Sequence, residues 1–161
     1  MSIACKNKST AAGDFGEEPE VANPTETLKP SGTISNIDDN KGPGQFNGKY
    51  FKSKEYKAPD GTKFRYTIEF KNKGDVLNST VIIYNGYEGA NKVENREYST
   101  SHMSGDTTKY KITALNYVLQ DANRTATAYI YNVDGEGTWL DFKPNGYTFT
   151  VKLALSDKSS N

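Results

Sequence analysis

The sequence predicts an all-β module behind an N-terminal leader of unlike composition. Three observations carry that expectation. Turn-forming clusters recur at short intervals from Phe46 onward, the segments between them have strand length, and the clearest of those segments alternate apolar with polar residues. The chain of 161 residues suffices for one ordinary domain and a tail. Residues 1–45 hold one aromatic, Phe15, and four of the six prolines. Residues 46–161 hold the other eighteen rings.

The leader, 1–45, shows no sustained period of 2 or 3.6. It offers too little apolar surface to offset the entropy of ordering its backbone, so a disordered linker is expected there. From 46 to 161 the turn signals are Pro59-Asp60-Gly61, Lys73-Gly74-Asp75, Asn85 to Gly89, Ser104-Gly105-Asp106, Asp121-Ala122-Asn123, Asp134 to Gly137 and Pro144-Asn145-Gly146. Glycine and asparagine supply positive φ, and proline presets the first turn angle.

These turns delimit eight strand-length segments. The clearest sets Phe64, Tyr66, Ile68 and Phe70 inward against Lys63, Arg65, Thr67 and Glu69. Thr80 to Tyr84 is a continuous apolar run, which suits a strand covered on both faces. Lys92 to Thr100 is polar on both faces. Tyr110 to Leu119 admits one helical turn through Leu115, Val118 and Leu119. Arg124 to Val133 alternates Ala126, Ala128 and Ile130 with Thr127, Tyr129 and Tyr131. The last strand puts Tyr147, Phe149, Val151, Leu153 and Leu155 on one face. Short connections throughout favour an eight-stranded antiparallel up-and-down barrel, whose closure removes exposed edges; a two-sheet sandwich is the alternative.

Two short motifs carry resemblances. Phe46-Asn47-Gly48-Lys49-Tyr50 opens the first strand much as the Gly-x-Trp signature opens lipocalins and fatty-acid-binding proteins, with Tyr50 in place of Trp. Gly137 to Phe149 (GTWLDFKPNGYTF) resembles the late hairpins of bacterial lipocalin-like lipoproteins. The resemblance implies a lipocalin-like barrel that holds a small amphipathic or hydrophobic ligand. Ser2-Ile3-Ala4-Cys5 resembles the end of a bacterial lipoprotein signal, in which the Cys receives the acyl chains. It implies lipid attachment at Cys5, palmitate-type acylation, and a place in the bacterial cell envelope at the outer membrane or cell surface. No basic or apolar signal region stands before Cys5, so this reading takes the export signal to have been trimmed. The plain alternative is a stray Cys in a leader.

Charge and chemistry narrow the function classes. Twenty Lys and Arg balance twenty Asp and Glu, which argues against a nucleic-acid partner on bulk charge. One Cys and one His cannot make a structural zinc site. No segment reaches the roughly 18 apolar residues of a membrane helix, so membrane contact is expected through the N-terminal lipid only. His102 lies in a Ser/Thr-rich stretch without a recognisable triad, and Asp134, Glu136 and Asp141 near Trp139 read as turn formers and solvated charges. The basic residues of the first two strands, Lys49 to Lys73, interleave with Tyr50, Phe51, Tyr56 and Tyr66 as a polyanion- or single-strand-binding face would, but the alternation at 63–70 favours the solvated outer face of a hairpin. Neither enzyme nor cofactor is expected, and a monomer is.

Eleven tyrosines are the most suggestive feature, because each buried hydroxyl needs a partner. If they point inward they line a ligand pocket, for which the candidate binding residues are Tyr50, Phe64, Tyr66, Phe70, Ala128, Trp139 and Phe149. In that arrangement Tyr50 and Trp139 close the space, and the small Ala126 and Ala128 leave room for the ligand. If the tyrosines point outward they form an aromatic recognition surface for a host or envelope protein, as in an adhesin or protease inhibitor.

Overall fold

The structure, a computed structural model, describes residues 20–24, 34–35, 37, 41–73, 80–102, 110–119 and 122–158. The elements are β1 (Glu20–Val21), β2 (Ile34–Ser35), a 3-10 turn (Pro43–Phe46), β3 (Tyr50–Lys57), β4 (Lys63–Asn72), β5 (Thr80–Glu88), β6 (Asn91–His102), β7 (Tyr110–Leu119), β8 (Ala122–Val133), β9 (Gly137–Pro144) and β10 (Val151–Ser156). Among the described residues there is no α-helix. The helical turn expected through Leu115, Val118 and Leu119 is instead part of β7, which pairs with β8 through Leu119↔Ala122.

From β3 to β10 each strand pairs antiparallel with the next, and β10 returns to pair with β3 through Ser53↔Leu153 and Phe51↔Leu155. One continuous, barrel-like sheet results, not the two packed sheets of a sandwich. Alternation explains β4 directly: Tyr66, Ile68 and Phe70 are fully buried while Lys63 and Arg65 are exposed. The final strand starts later than expected, at Val151. Leu155 lies on its inward phase but is 40% exposed, because β10 ends there at the barrel mouth.

Register shifts occur in four strand pairs, β3–β4, β5–β6, β6–β7 and β7–β8, and the first two bear on the core. In β3 the register shifts between Lys52 and Glu55, so the buried positions run Phe51, Ser53 and then Tyr56. Ser53 holds the irregularity together. Its Oγ accepts the Tyr66 N–H at 2.9 Å, and its carbonyl accepts Arg65 Nη1 at 2.9 Å. In the β5–β6 pair the register shifts between Tyr84 and Gly86, opposite Asn95, which sits at φ 50°. The Asn85 carboxamide accepts the Asn95 N–H at 2.9 Å. The expected turn over Asn85 to Gly89 is therefore shorter and later, since strand continues to Glu88.

Parts of the expected leader belong to the sheet. β1 pairs parallel with β3 at Tyr56 and Lys57, beyond the last β10 partner of that strand at Ser53. β2 pairs with β8 at Asn132 and Val133, past the first β7 partner at Ile130. Each short strand covers backbone groups that a neighbouring strand is too short to reach. The expectation of an unstructured chain up to residue 45 is thus corrected for the described residues 20–24, 34–35, 37 and 41–45. The pattern missed them because two-residue strands carry no readable period.

Rings fill the core among the described residues. Phe142 on β9 lies 4.7 Å, centroid to centroid, from Tyr84 on β5, and 6.0 Å from Tyr98 on β6. Neither β5 nor β6 pairs with β9, so both contacts cross the interior. Tyr66 stands 6.4 Å from Phe149, and Phe70 meets Phe46 at 5.4 Å and Phe51 at 5.9 Å. Gly86 makes room for this packing: a Cβ there would come within 2.3 Å of Tyr66 Cδ2 and 2.7 Å of Cε2. Gly86→Ala should therefore destabilise the fold by about 2–3 kcal/mol through overpacking, read as a lower urea midpoint with an unchanged slope.

Candidate functional site

Five of the seven expected ligand-binding residues share the barrel interior. Tyr66, Phe70, Ala128 and Phe149 are buried, and Phe64 is half-buried against Tyr66 and Tyr87 at 4.9 and 4.7 Å. Two do not belong to it. Tyr50 is half-buried and pairs with Glu69 and Ser156, while its neighbour Phe51 is fully buried on the opposite phase. Trp139 precedes Leu140 and Phe142 on the β9 phase that faces out. The rings expected to close the space from these positions are supplied instead by Phe46, Phe51 and Phe142.

The room expected beside the small residues is taken. Ala128 is the cross-strand partner of Phe142, and Ala126 that of Pro144. Small side chains on β8 thus accept bulky ones from β9, and Phe142 reaches on to Tyr84.

Described residues stand over both ends of the barrel, with a cavity of about 240 Å³ between Ile37, Phe46, Phe51 and Leu155 at one of them. At one end Phe46 descends from the 3-10 turn into the core, fixed by Gly48 N–H donating to the Phe70 carbonyl (2.8 Å) and Phe70 N–H donating to the Lys49 carbonyl (2.9 Å). At the other end residues 22–24 form a strap. The Ala22 N–H donates to the Lys57 carbonyl at 2.9 Å. The Asn23 N–H donates to the Tyr66 hydroxyl at 2.8 Å, and its side chain exchanges bonds of 2.9 and 3.1 Å with the backbone of Gly89. The Thr150 N–H donates to the Pro24 carbonyl. Asn23 takes φ 64°, a conformation that asparagine tolerates better than most residues.

Beneath the strap lies a polar cluster that the sequence pattern did not reveal. Arg96 is the cross-strand partner of Tyr84 and shares its inward face. Its Nη1 meets Glu88 Oε1 at 2.5 Å, with side chains only 12% and 4% exposed. The Tyr98 hydroxyl lies 3.5 Å from Glu88 Oε2, and the Tyr84 hydroxyl donates to the Tyr87 carbonyl at 3.2 Å. Burial pushes the Tyr66 hydroxyl up to about 12, partly offset by the Asn23 N–H. It also pushes Tyr98 up to about 12, eased by Arg96 and reinforced by Glu88. Tyr84 is raised well above the ordinary phenol value, again chiefly by burial. These phenols are held neutral, as hydrogen-bonding groups and not as acids.

The outer face carries a groove of about 390 Å³. The register across it runs Trp139↔Ala154 and Ala154↔Lys52, so a single methyl forms the floor between an indole and a lysine stem. Ser53, Lys54, Arg65, Lys152 and Ser156 complete its lining, and Lys152 Nζ sits 4.3 Å from the centroid of the Trp139 ring. Trp139 is half-buried, and its Nε1 is enclosed without a hydrogen-bond partner.

Among the described residues, no three His, Cys, Asp or Glu side chains come close enough to hold a metal ion. Asp134 is exposed in its turn, whereas Asp141 is buried and accepts the Tyr131 hydroxyl at 2.7 Å. Cys5 lies outside the described residues, as does the side chain of His102.

The buried phenols make a testable prediction. Because folding raises their values from 10.0 to about 12, the native state keeps protons that the unfolded chain releases. Their contribution should be intact below pH 10 and lost as pH rises to 12, by about 2 kcal/mol per group. Phenolate absorbance near 295 nm should show two tyrosines that ionise near pH 12, and Tyr66→Phe and Tyr98→Phe should each remove one. No protein-family model, curated protein or solved structure matches the chain.

Proposed function

We propose that this chain is a non-enzymatic binding protein of the bacterial cell envelope. In this reading the eight long strands form a closed, lipocalin-like up-and-down barrel that engages another macromolecule through its outer face. Cys5 carries the lipid anchor, and the protein acts as a monomer. The observation that carries the reading is the ring contact across the interior, Phe142 to Tyr84 at 4.7 Å. Among the described residues, rings from opposite walls meet in the space that a carrier would give to its ligand, which supports this reading. The resemblance at Cys5 and the lipocalin-like motifs support the envelope location and the barrel type.

The reading it displaces is a carrier with a small amphipathic ligand among Tyr66, Phe70, Ala128 and Phe149. One substitution separates the two. With a filled interior, Ala128→Leu should destabilise the fold by about 1–3 kcal/mol, since the site is fully buried against Phe142. A fluorescent fatty acid should bind neither wild type nor variant with saturation. Saturable binding to wild type, lost in a variant of unchanged stability, would establish the carrier instead.

The anchor is tested separately. Expressed behind a lipoprotein export signal, the protein should partition into detergent, and Cys5→Ser should move it to the aqueous phase. A wild-type protein found wholly in the aqueous phase overturns the anchor.

A further inference from the structure

We infer that Asn145 is a site of spontaneous covalent modification, converted to aspartate and isoaspartate with water as the co-reactant. The inference stands apart from the outer-face reading. The chain holds three Asn-Gly pairs, Asn47-Gly48, Asn85-Gly86 and Asn145-Gly146. Each carries the same local chemistry, because a glycine without a Cβ leaves its backbone nitrogen open to close approach. That nitrogen gives its proton to solvent base and bonds to the asparagine Cγ. The Cγ–Nδ2 bond breaks, Nδ2 takes up a proton from water, and ammonia leaves behind a cyclic succinimide. Water then opens the ring. Attack at Cγ returns a normal chain with aspartate, and attack at the backbone carbonyl carbon gives isoaspartate, with the main chain rerouted through Cβ and Cγ.

The fold separates the three pairs. Gly48 is exposed, but its N–H donates to the Phe70 carbonyl at 2.8 Å, and the Asn47 N–H donates to the Gly44 carbonyl at 3.1 Å. The attacking nitrogen is thus held against the sheet. Asn85 lies within β5, where its carboxamide accepts the Asn95 N–H at 2.9 Å and Gly86 backs onto the Tyr66 ring. Its Cγ cannot turn toward Gly86 without breaking the β5–β6 hairpin. Asn145 and Gly146 are both exposed in the turn after β9. Among the described residues, neither the Asn145 carboxamide nor the Gly146 N–H has a partner, and a Cβ at Gly146 would meet nothing within 4 Å. The turn is closed by the Tyr147 N–H and the Pro144 carbonyl at 3.4 Å, longer than an ordinary N–H···O bond. Nucleophile, electrophile and water therefore meet freely at this pair alone of the three. Isoaspartate there lengthens the main chain leading to Tyr147 and Phe149, whose rings meet at 5.7 Å, and to Thr150, which binds the strap at Pro24.

The experiment incubates the full-length chain at mildly alkaline pH, once native and once in concentrated urea, and follows every asparagine by peptide mass spectrometry. Isoaspartate is scored separately with a carboxyl methyltransferase and S-adenosylmethionine. In the native protein Asn145 should be converted at least tenfold faster than Asn47 or Asn85, with isoaspartate among its products. In urea the three pairs should react at comparable rates, since the fold no longer holds any of them. Gly146→Ala, whose methyl hinders the attacking nitrogen, should slow Asn145 at least tenfold in urea as well as in the native state, so that an effect on folding does not account for it. Three results would overturn the inference: another asparagine converted faster than Asn145 in the native protein, native rates spread no wider than those in urea, or an Asn145 rate in urea that Gly146→Ala leaves unchanged. None of these bears on whether the outer wall engages a partner.

Discussion

The contact of Phe142 with Tyr84 across the interior is the constraint on which the rest of the barrel depends. A phenylalanine long enough to reach the far wall needs small neighbours on its own side, and Ala128 is its partner on β8. The tyrosines that meet it bring hydroxyl groups into a space that would otherwise be dry. Each buried hydroxyl needs a hydrogen-bond partner, at a cost of about 1–3 kcal/mol if left without one. The partners come from one end of the barrel: the Asn23 backbone for Tyr66, the Tyr87 carbonyl for Tyr84, and Glu88 for Tyr98. An apolar core of the same size would need neither the strap at residues 22–24 nor a carboxylate at position 88.

The Glu88–Arg96 pair follows from the same logic. A lone buried Glu beside two phenols would be strongly disfavoured, and Arg96 neutralises it from the adjacent strand. Such pairs add little net stability over a well-packed apolar substitute, but loss of one partner leaves an uncompensated charge. The β5–β6 bulge brings the two together. With Asn95 in a left-handed conformation, β6 changes phase between Val93 and Arg96, so that both face inward. The network therefore ties the irregular register of one hairpin to the ring packing of the whole interior.

How much of this the sequence discloses depends on whether alternation survives along a strand. It survives along β4, where Tyr66, Ile68 and Phe70 are buried as the pattern requires. It fails along β3, where the bulge at Lys52 to Glu55 inverts the phase, and Tyr50 is misread because Phe51 takes the inward position. Trp139 is misread for a different reason. A lone tryptophan in an apolar stretch invites an inward assignment, but Leu140 and Phe142 set the phase of β9 and leave the indole outside. Nothing local announces the strap, because Asn23 acts through groups 43 and 66 residues away. The basic residues between Lys49 and Lys73 were visible as a solvated face. Their convergence with Lys152 on Trp139 was not, since it requires β10 to return beside β3.

The strap also fixes the end of the barrel from which the proposed tether would leave. Cys5 and Glu20 are fifteen residues apart, so a lipid on Cys5 can lie at most about 50 Å from the first strand. That strand joins the barrel at Tyr56 and Lys57, at the end where Asn23 binds Tyr66. The Trp139 groove lies on the side wall, where Ala154 pairs with Lys52 nearer the opposite end of β3. Among the described residues, Asn23 binds Tyr66 at one end of the interior and Phe46 packs into it at the other. The ring contacts across the interior thus make the outer wall the surface that a macromolecular partner of the proposed kind would meet.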